Sequence, residues 1–190
     1  MKIITGKLKG LALKSPEVNL RPTQDKVRKA IFDILAGCIK GVNFLELFAG
    51  SGAVGIEALS CGAGFVCFVE NDRESIGLLR ENLARARVSN YAVKPLDAFT
   101  ALELFAKENK SFDIIFIDPP YYEDLAKKFL LSLSAYDILT SAGFVIIQHF
   151  KKDVIPEETG SFKLFKQKFY GDTVVSFYQM KPELTERKRT

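Results

Sequence analysis

The sequence predicts an α/β fold, a doubly wound and mostly parallel sheet of Rossmann-like type, on three observations. From residue 43 onward short apolar runs alternate with amphipathic helical stretches. A glycine-rich segment, Gly50-x-Gly52-x-x-Gly55, joins the first of these runs to the first of these helices. The run FDIIFID is almost wholly apolar, as a central strand covered on both faces must be.

In chain order, residues 2–14 suggest two short strands, IITGKL and GLALK, turning at Lys9-Gly10. RPTQDKVRKAIFDILAG reads as a helix, with Thr23 as N-cap, Val27, Ile31, Ile34 and Leu35 as its apolar face, and Gly37 as its stop. Strand NFLELF and helix AVGIEALSCG follow, then strand GFVCFVE and helix DRESIGLLRENLARAR. YAVKP is a third strand, with a helical stretch from Asp97 to Lys107, and FDIIFID is the fourth. EDLAKKFLLSLSAY is helical and GFVIIQHF is a buried-type strand. FKLFKQKFY and TVVSFYQMK, separated by Gly171-Asp172, suggest an antiparallel hairpin closing the sheet. The expected organisation is one domain over 1–190, residues 1–40 forming a small hairpin-and-helix extension and 41–181 the core.

Composition narrows the class. At 190 residues, 47% hydrophobic and 26% charged, the chain has enough apolar material for one real core, which excludes a disordered polypeptide. No apolar run approaches the roughly 20 residues that cross a bilayer, and MKIITGKLKG lacks an apolar leader, so neither a membrane partner nor secretion is expected. The three cysteines form no CxxC pair, which argues against a disulfide framework and a metal site and for a cytoplasmic protein. No additional apolar surface suggests an oligomer, so a monomer is expected.

Charge is unevenly placed. The net charge is only +4, yet residues 1–30 hold Lys2, Lys7, Lys9, Lys14, Arg21, Lys26, Arg28 and Lys29 against Glu17 and Asp25 alone. Such a segment attracts a phosphate backbone by releasing counterions. A solvated basic face without a partner accounts for the charge equally well. In FKLFKQKFY, Phe162, Phe165 and Phe169 alternate with lysines; an edge strand with one face in the core is preferred over RNA stacking, with Lys163, Lys166 and Lys168 adding to a basic rim.

The glycine loop allows a tight turn and close approach of a ligand to the backbone at a helix N-terminus. Glu70 ends the next strand, where a carboxylate can accept hydrogen bonds from ribose hydroxyls. Together they point to an adenosine-containing cofactor; NAD, FAD and S-adenosylmethionine all satisfy that much, and a glycine turn that merely packs helix on strand has the same spacing. Asp118-Pro119-Pro120-Tyr121, at the end of the fourth strand, separates these. The lone pair of an exocyclic amine is delocalised into its base, so the nitrogen is a poor nucleophile. The Asp118 carboxylate and the Pro119 carbonyl can both accept hydrogen bonds from such an amine and aim its lone pair at a methyl donor. Prolines fix φ and hence the carbonyl direction, and Tyr121 offers a face for an extruded base.

With RPTQDKVRKAIFDIL, FAGSGAVGIEAL and DPPY in this order, the chain resembles the RsmD family of bacterial 16S ribosomal RNA guanine-N2 methyltransferases over almost its whole length. The resemblance implies S-adenosylmethionine as cofactor and small-subunit ribosomal RNA, or an assembling 30S subunit, as substrate. It implies that Phe48, Ala49, Gly50, Ser51 and Gly52 line the methionine end of the cofactor and that Glu70 holds its ribose. It further implies that Asp97 meets the adenine amine, that Arg21 and Thr23 close over the cofactor near the target base, and that Asp118 is a cofactor-binding residue as well as a catalytic one. Asp97 serves equally well as a helix N-cap. Gln148 stands where family members often carry Glu. His149, the only histidine, is expected to be packed at a strand end and not to act as a base. The alternatives are a DNA adenine-N6 methyltransferase, which shares DPPY, a nicotinamide-dependent oxidoreductase, and a non-catalytic RNA-binding assembly factor.

Overall fold

The computed structural model describes residues 1–15, 22–120 and 125–181, apart from the side chains of 22–24. The helices are α1 (Pro22–Leu35), α2 (Ala53–Cys61), α3 (Arg73–Ala86), α4 (Ala98–Lys107) and α5 (Leu125–Leu133). The strands are β1 (Asn43–Leu47), β2 (Phe65–Glu70), β3 (Tyr91–Pro95), β4 (Phe112–Ile117) and β5 (Leu139–Phe150), followed by β6 (Glu158–Thr159), β7 (Phe162–Tyr170) and β8 (Thr173–Met180).

They form one sheet in the order β3-β2-β1-β4-β5-β8-β7-β6. The first five strands run parallel, and β8 pairs antiparallel with both β5 and β7. This is the predicted doubly wound sheet with its C-terminal hairpin, plus a two-residue strand too short to carry a sequence pattern. Apolar residues alternate between the two faces: Phe44, Val66, Ile114 and Ile146 pack on the side of α1, while Leu45, Val69, Ile115 and Ile147 pack on the side of α4 and α5. Buried on both faces, the central strands read as continuous apolar runs.

Three expectations need correction. Helix α1 begins at Pro22, where a proline suits the first helical position, so Thr23 lies inside the first turn and is not the N-cap. The N-terminal strands shrink to one antiparallel bridge, Lys2↔Ala12, with a 3-10 turn over Gly6–Leu8. The reason is competition: the backbone N–H groups of Ile4 and Thr5 go to the carboxylate of Glu57 instead of a strand partner. In β7 only Phe162 is fully buried; Phe165 is half exposed with its ring against Phe144 and Phe177, and Phe169 is 68% exposed.

Candidate functional site

β1 and β4 are neighbours in the sheet although far apart in sequence, and the winding reverses between them. Such a switch point leaves a crevice at the strand C-termini. The loop after β1 brings Phe48 to Gly52 to that crevice, and the loop after β4 brings Asp118. Between them lies a cavity of about 220 Å³, lined among others by Phe48, Ala49, Gly50, Ser51, Asp118 and Gln148.

The glycine loop is tightly wound. Phe48 has φ 58°, Gly50 φ 53° and Gly52 φ 74°; a left-handed backbone at a residue as large as Phe48 is uncommon and concentrates at functional positions. Three hydrogen bonds pin the turn: Ala49 N–H to Val69 O (3.0 Å), Gly52 N–H to Ala49 O (2.8 Å) and Gly50 N–H to Glu70 Oε2 (2.8 Å). Gly55 serves packing instead. A Cβ there would lie 2.3 Å from the Phe68 ring and 2.6 Å from Glu46 Oε2, so only glycine lets α2 sit this close to the sheet.

Glu70 also accepts from the N–H groups of Asn71 and Asp72, both at 2.9 Å, so one carboxylate ties the loops after β1 and β2 together. With Phe48, Val69, Asn71, Leu96 and Ala98 it lines a second, smaller hollow on the far side of Phe48. Asp97 lies between two of those residues and caps α4, its Oδ1 accepting from Phe99 N–H (2.9 Å) and Thr100 N–H (3.3 Å).

Asp118 follows β4, with Pro119 buried and Pro120 exposed. Burial lifts the Asp118 carboxyl to about 7, opposed by hydrogen bonds from Gln148. Gln148 Nε2 donates to Oδ1 at 3.0 Å and to Oδ2 at 3.1 Å. Glu46, near the end of β1 and lining the same cavity, is lifted to about 8, chiefly by burial, with the Asp118 charge adding and its bond from Gly55 N–H opposing.

The N-terminal segment closes the cavity from one side, contributing Met1 and Ser15. It is tied down by α2, which is apolar on almost every side and so needs cover on both faces. Glu57 is fully buried there and accepts from Ile4 N–H (3.0 Å), Thr5 Oγ1–H (2.7 Å) and Arg28 Nε–H (3.2 Å). Arg28 also donates to Lys2 O (2.6 Å) and Asp25 Oδ1 (3.0 Å). Asn82 clamps the other end of the segment, donating to Lys14 O and Ser51 O, both at 3.0 Å, and accepting from Lys14 N–H at 2.8 Å.

Of the residues singled out from sequence, Phe48, Ala49, Gly50, Ser51 and Asp118 meet around one cavity, with Gly52 and Pro119 beside them in the same loops. Glu70 and Asp97 gather at the second hollow. Arg21, Tyr121 and the Thr23 side chain lie outside the described residues. His149 faces away from the cavity side: its Nε2 lies 2.8 Å from Ser176 Oγ, and burial lowers its proton affinity, which fits the packed role expected of it. Arg28 corrects the view of the basic segment, since it is buried and paired and cannot meet a phosphate. Lys14 and Lys29 pair with Glu81 and Asp33, which leaves Lys2, Lys7, Lys9 and Lys26 exposed without a described ion pair. Glu46 and the Gln148–Asp118 contact escaped sequence reasoning; the available signals were a lone acid in FLEL and a lone amide in FVIIQ.

The family described as conserved hypothetical protein 95 matches residues 1–179. The Bacillus subtilis protein YlbH is 37% identical over 181 residues, covering 94% of this chain and 98% of its own. The Escherichia coli ribosomal RNA small subunit methyltransferase D is 31% identical over 180 residues, covering 94% of this chain and 89% of its own. The solved structure of a hypothetical protein from Thermus thermophilus superposes with a TM-score of 0.82 at 33% identity, covering 95% of this chain and 99% of that one.

Proposed function

Because this chain belongs to the conserved hypothetical protein 95 family, the RsmD family of methyltransferases, we propose that it moves the methyl group of S-adenosylmethionine to the exocyclic N2 amine of a guanine in small-subunit ribosomal RNA. The observation that carries this is the meeting of the glycine loop and Asp118 across one cavity. A helix–strand turn needs the first, but nothing in packing needs a desolvated carboxylate facing it.

The residues present suit the cofactor. Two hollows flank Phe48, one beside the Glu70 carboxylate with apolar Leu96 and Ala98, the other ending at Asp118. Among the described residues, none but its chain neighbours comes within 4 Å of where a Gly50 Cβ would stand, which supports a loop backbone open to a ligand. We assign Glu70 to the ribose, Asp97 to the adenine amine through the carboxylate oxygen its cap leaves over, and Phe48 to Gly52 to the methionine end. Arg21 and Thr23 are assigned to closure over it. The bound cofactor supplies an electrophilic methyl on a sulfonium. The Asp118 carboxylate and the Pro119 carbonyl hold the amine, lower the cost of positive charge forming on nitrogen, and point its lone pair along the line of attack. Pro120 fixes that carbonyl and Tyr121 stacks the base. With the amine so held, its nitrogen would take the methyl that the bound cofactor would supply, and the methylated amine would release a proton to water.

Undermodified small subunits, naked small-subunit RNA and duplex DNA, each incubated with labelled S-adenosylmethionine, test this reading. N2-methylguanine in subunits or RNA is the expected product. N6-methyladenine in DNA would overturn the substrate, and cofactor binding without any transfer would overturn the enzyme in favour of a binding module.

Glu70→Ala should raise the cofactor Kd by about tenfold or more, since it removes acceptors for hydroxyls as well as the tie to Gly50 N–H. Isothermal titration giving wild-type affinity would remove the ribose assignment. The RNA contact is assigned to the exposed lysines of the N-terminal segment. Lys7→Ala with Lys9→Ala should weaken RNA binding at every sequence and lower the salt slope by about 1 for each lost phosphate contact. An unchanged slope in a salt titration would mean that the RNA is held elsewhere. Among the described residues the exposed large apolar side chains are Leu131 on α5, Val154 after β5, and Phe165 and Phe169 on β7, and on that scatter we assign a monomer. A ribosomal RNA substrate implies a cytoplasmic protein, and no helix among the described residues is long and apolar enough to cross a membrane.

A further inference from the structure

We propose that Gln148 is a positioning residue of the reaction: through two hydrogen bonds it fixes the plane of the Asp118 carboxylate and favours the ionised, acceptor-only form that a base amine needs. The inference rests on the methyl-transfer reading for its purpose, but its geometry stands apart from it.

Gln148 sits on β5 in the parallel pair with β4, one residue beyond Ile147, which lies in register with Ile117 at the end of β4. The register therefore sets Gln148 beside Asp118 by main-chain pairing, independent of any ligand. On the opposite flank Gln148 is in register with Val175 of β8, so its backbone is held from both sides. The side chain is buried, lines the cavity, and spends its amide nitrogen on both carboxylate oxygens at 3.0 and 3.1 Å. An ionised carboxylate only accepts, so the amide must turn its NH2 group, not its oxygen, toward Asp118. Such charge-assisted bonds favour the ionised form and restrict rotation of the carboxylate. A carboxylate free to spin would accept hydrogen bonds in many directions; one held by Gln148 accepts along the directions left over, toward the cavity.

The other charged groups around Asp118 do not do this. From β1, Glu46 is a second acid, lifted to about 8 chiefly by burial and in part by the Asp118 charge, and it supplies no cation to Asp118. From α1, Arg28 lines the cavity, but its guanidinium is committed to Glu57, Asp25 and Lys2 O. Met1 closes the cavity from the N-terminal segment without a described bond to Asp118. Gln148 is thus the neutral donor that offsets a buried acid pair.

The test uses the full chain, two Gln148 variants and Asp118→Asn as the reference for assignment. Titration of the Asp118 carboxyl by carbon-13 NMR, its resonance identified by loss in Asp118→Asn, needs neither RNA nor cofactor. In Gln148→Leu the midpoint should rise by about one pH unit. Turnover at neutral pH should fall about tenfold and recover toward alkaline pH, with cofactor Kd unchanged. In Gln148→Glu two carboxyls share one proton, so the titration should split into two steps, one below and one above the wild-type midpoint. Turnover should follow the same two steps, rising as Asp118 gives up its proton. An Asp118 midpoint in Gln148→Leu within about 0.3 units of wild type, or a single unshifted step in Gln148→Glu, overturns the proposal. If the midpoints move as stated while the wild type methylates no nucleic acid, the positioning stands and the functional reading fails.

Discussion

Asp118→Asn should lower turnover by at least about two to three orders of magnitude while leaving cofactor affinity within a few-fold of wild type, and should make the protein more heat-stable at pH 8 than the wild type. Both halves follow from one fact, the burial of a carboxyl at a cavity wall. Asparagine keeps the size and can still take a hydrogen bond from Gln148 Nε2, so packing is retained. It loses the charge that holds and polarises the amine, and preorganised charge at the reacting centre is where the largest rate effects lie. The stability half has a definite sign. The folded-state value is about 7 against an unfolded value of 3.8, so the folded chain keeps its proton over a range where the unfolded chain has lost it. Stability therefore falls as pH rises from about 4 to about 7, and the deficit is fully present above that window. Removing the charge restores on the order of 1–3 kcal/mol there, or a few degrees in Tm for each kcal/mol in a chain of this size. The Tm difference between variant and wild type should be near zero at pH 4 and positive at pH 8. Glu46, lifted to about 8, gives the variant a residual slope of the same sign. Near-normal turnover in a single-turnover assay would sink the catalytic assignment, and a Tm difference independent of pH would sink the electrostatic one.

The strand and helix order was legible in sequence because each element carries its own period, and the glycine loop and DPPY were legible because their chemistry is local. Asp97 is instructive: a single position satisfied both the cap pattern and the site pattern, and the structure realises the cap. What stayed hidden is long-range pairing between polar groups. Arg28 looked like one more cation of a basic segment because its partner Glu57 is 29 residues away, and the pair it forms puts it in the interior. Gln148 looked like a departure from a pattern because Asp118 is 30 residues away, and only parallel register joins them. The N-terminal strands were overestimated for the same reason, since their apolar alternation is real but their N–H groups have a better acceptor in Glu57. A lone acid in the apolar helix AVGIEALSC was the one local sign of that acceptor. Such a residue must be paired or it cannot stay buried.

That acid sets the second large effect. Glu57→Ala should destabilise the protein by about 3–5 kcal/mol, measured as a shift of the urea midpoint, and should weaken cofactor binding although Glu57 does not itself line the cavity. The carboxylate gathers the backbone N–H groups of Ile4 and Thr5, the Thr5 hydroxyl and the Arg28 guanidinium into one buried network. Alanine leaves those donors without their acceptor, and Arg28 is only 4% exposed, so its charge would lose its buried counterpart where water cannot replace it. Glutamine should recover part of the loss, because its oxygen still accepts from one or two donors, but not the charge pairing. The link to binding is mechanical. Glu57 anchors the start of the segment whose Met1 and Ser15 close the cavity, while Asn82 anchors its far end next to the glycine loop. With one anchor gone, the segment must be ordered by the ligand at the moment of binding, and that ordering entropy is subtracted from affinity. Glu57→Ala should therefore raise the cofactor Kd, whereas Asp118→Asn should not. A destabilised Glu57→Ala protein that binds cofactor with wild-type affinity would show that the N-terminal segment is a structural cover alone and takes no part in forming the site.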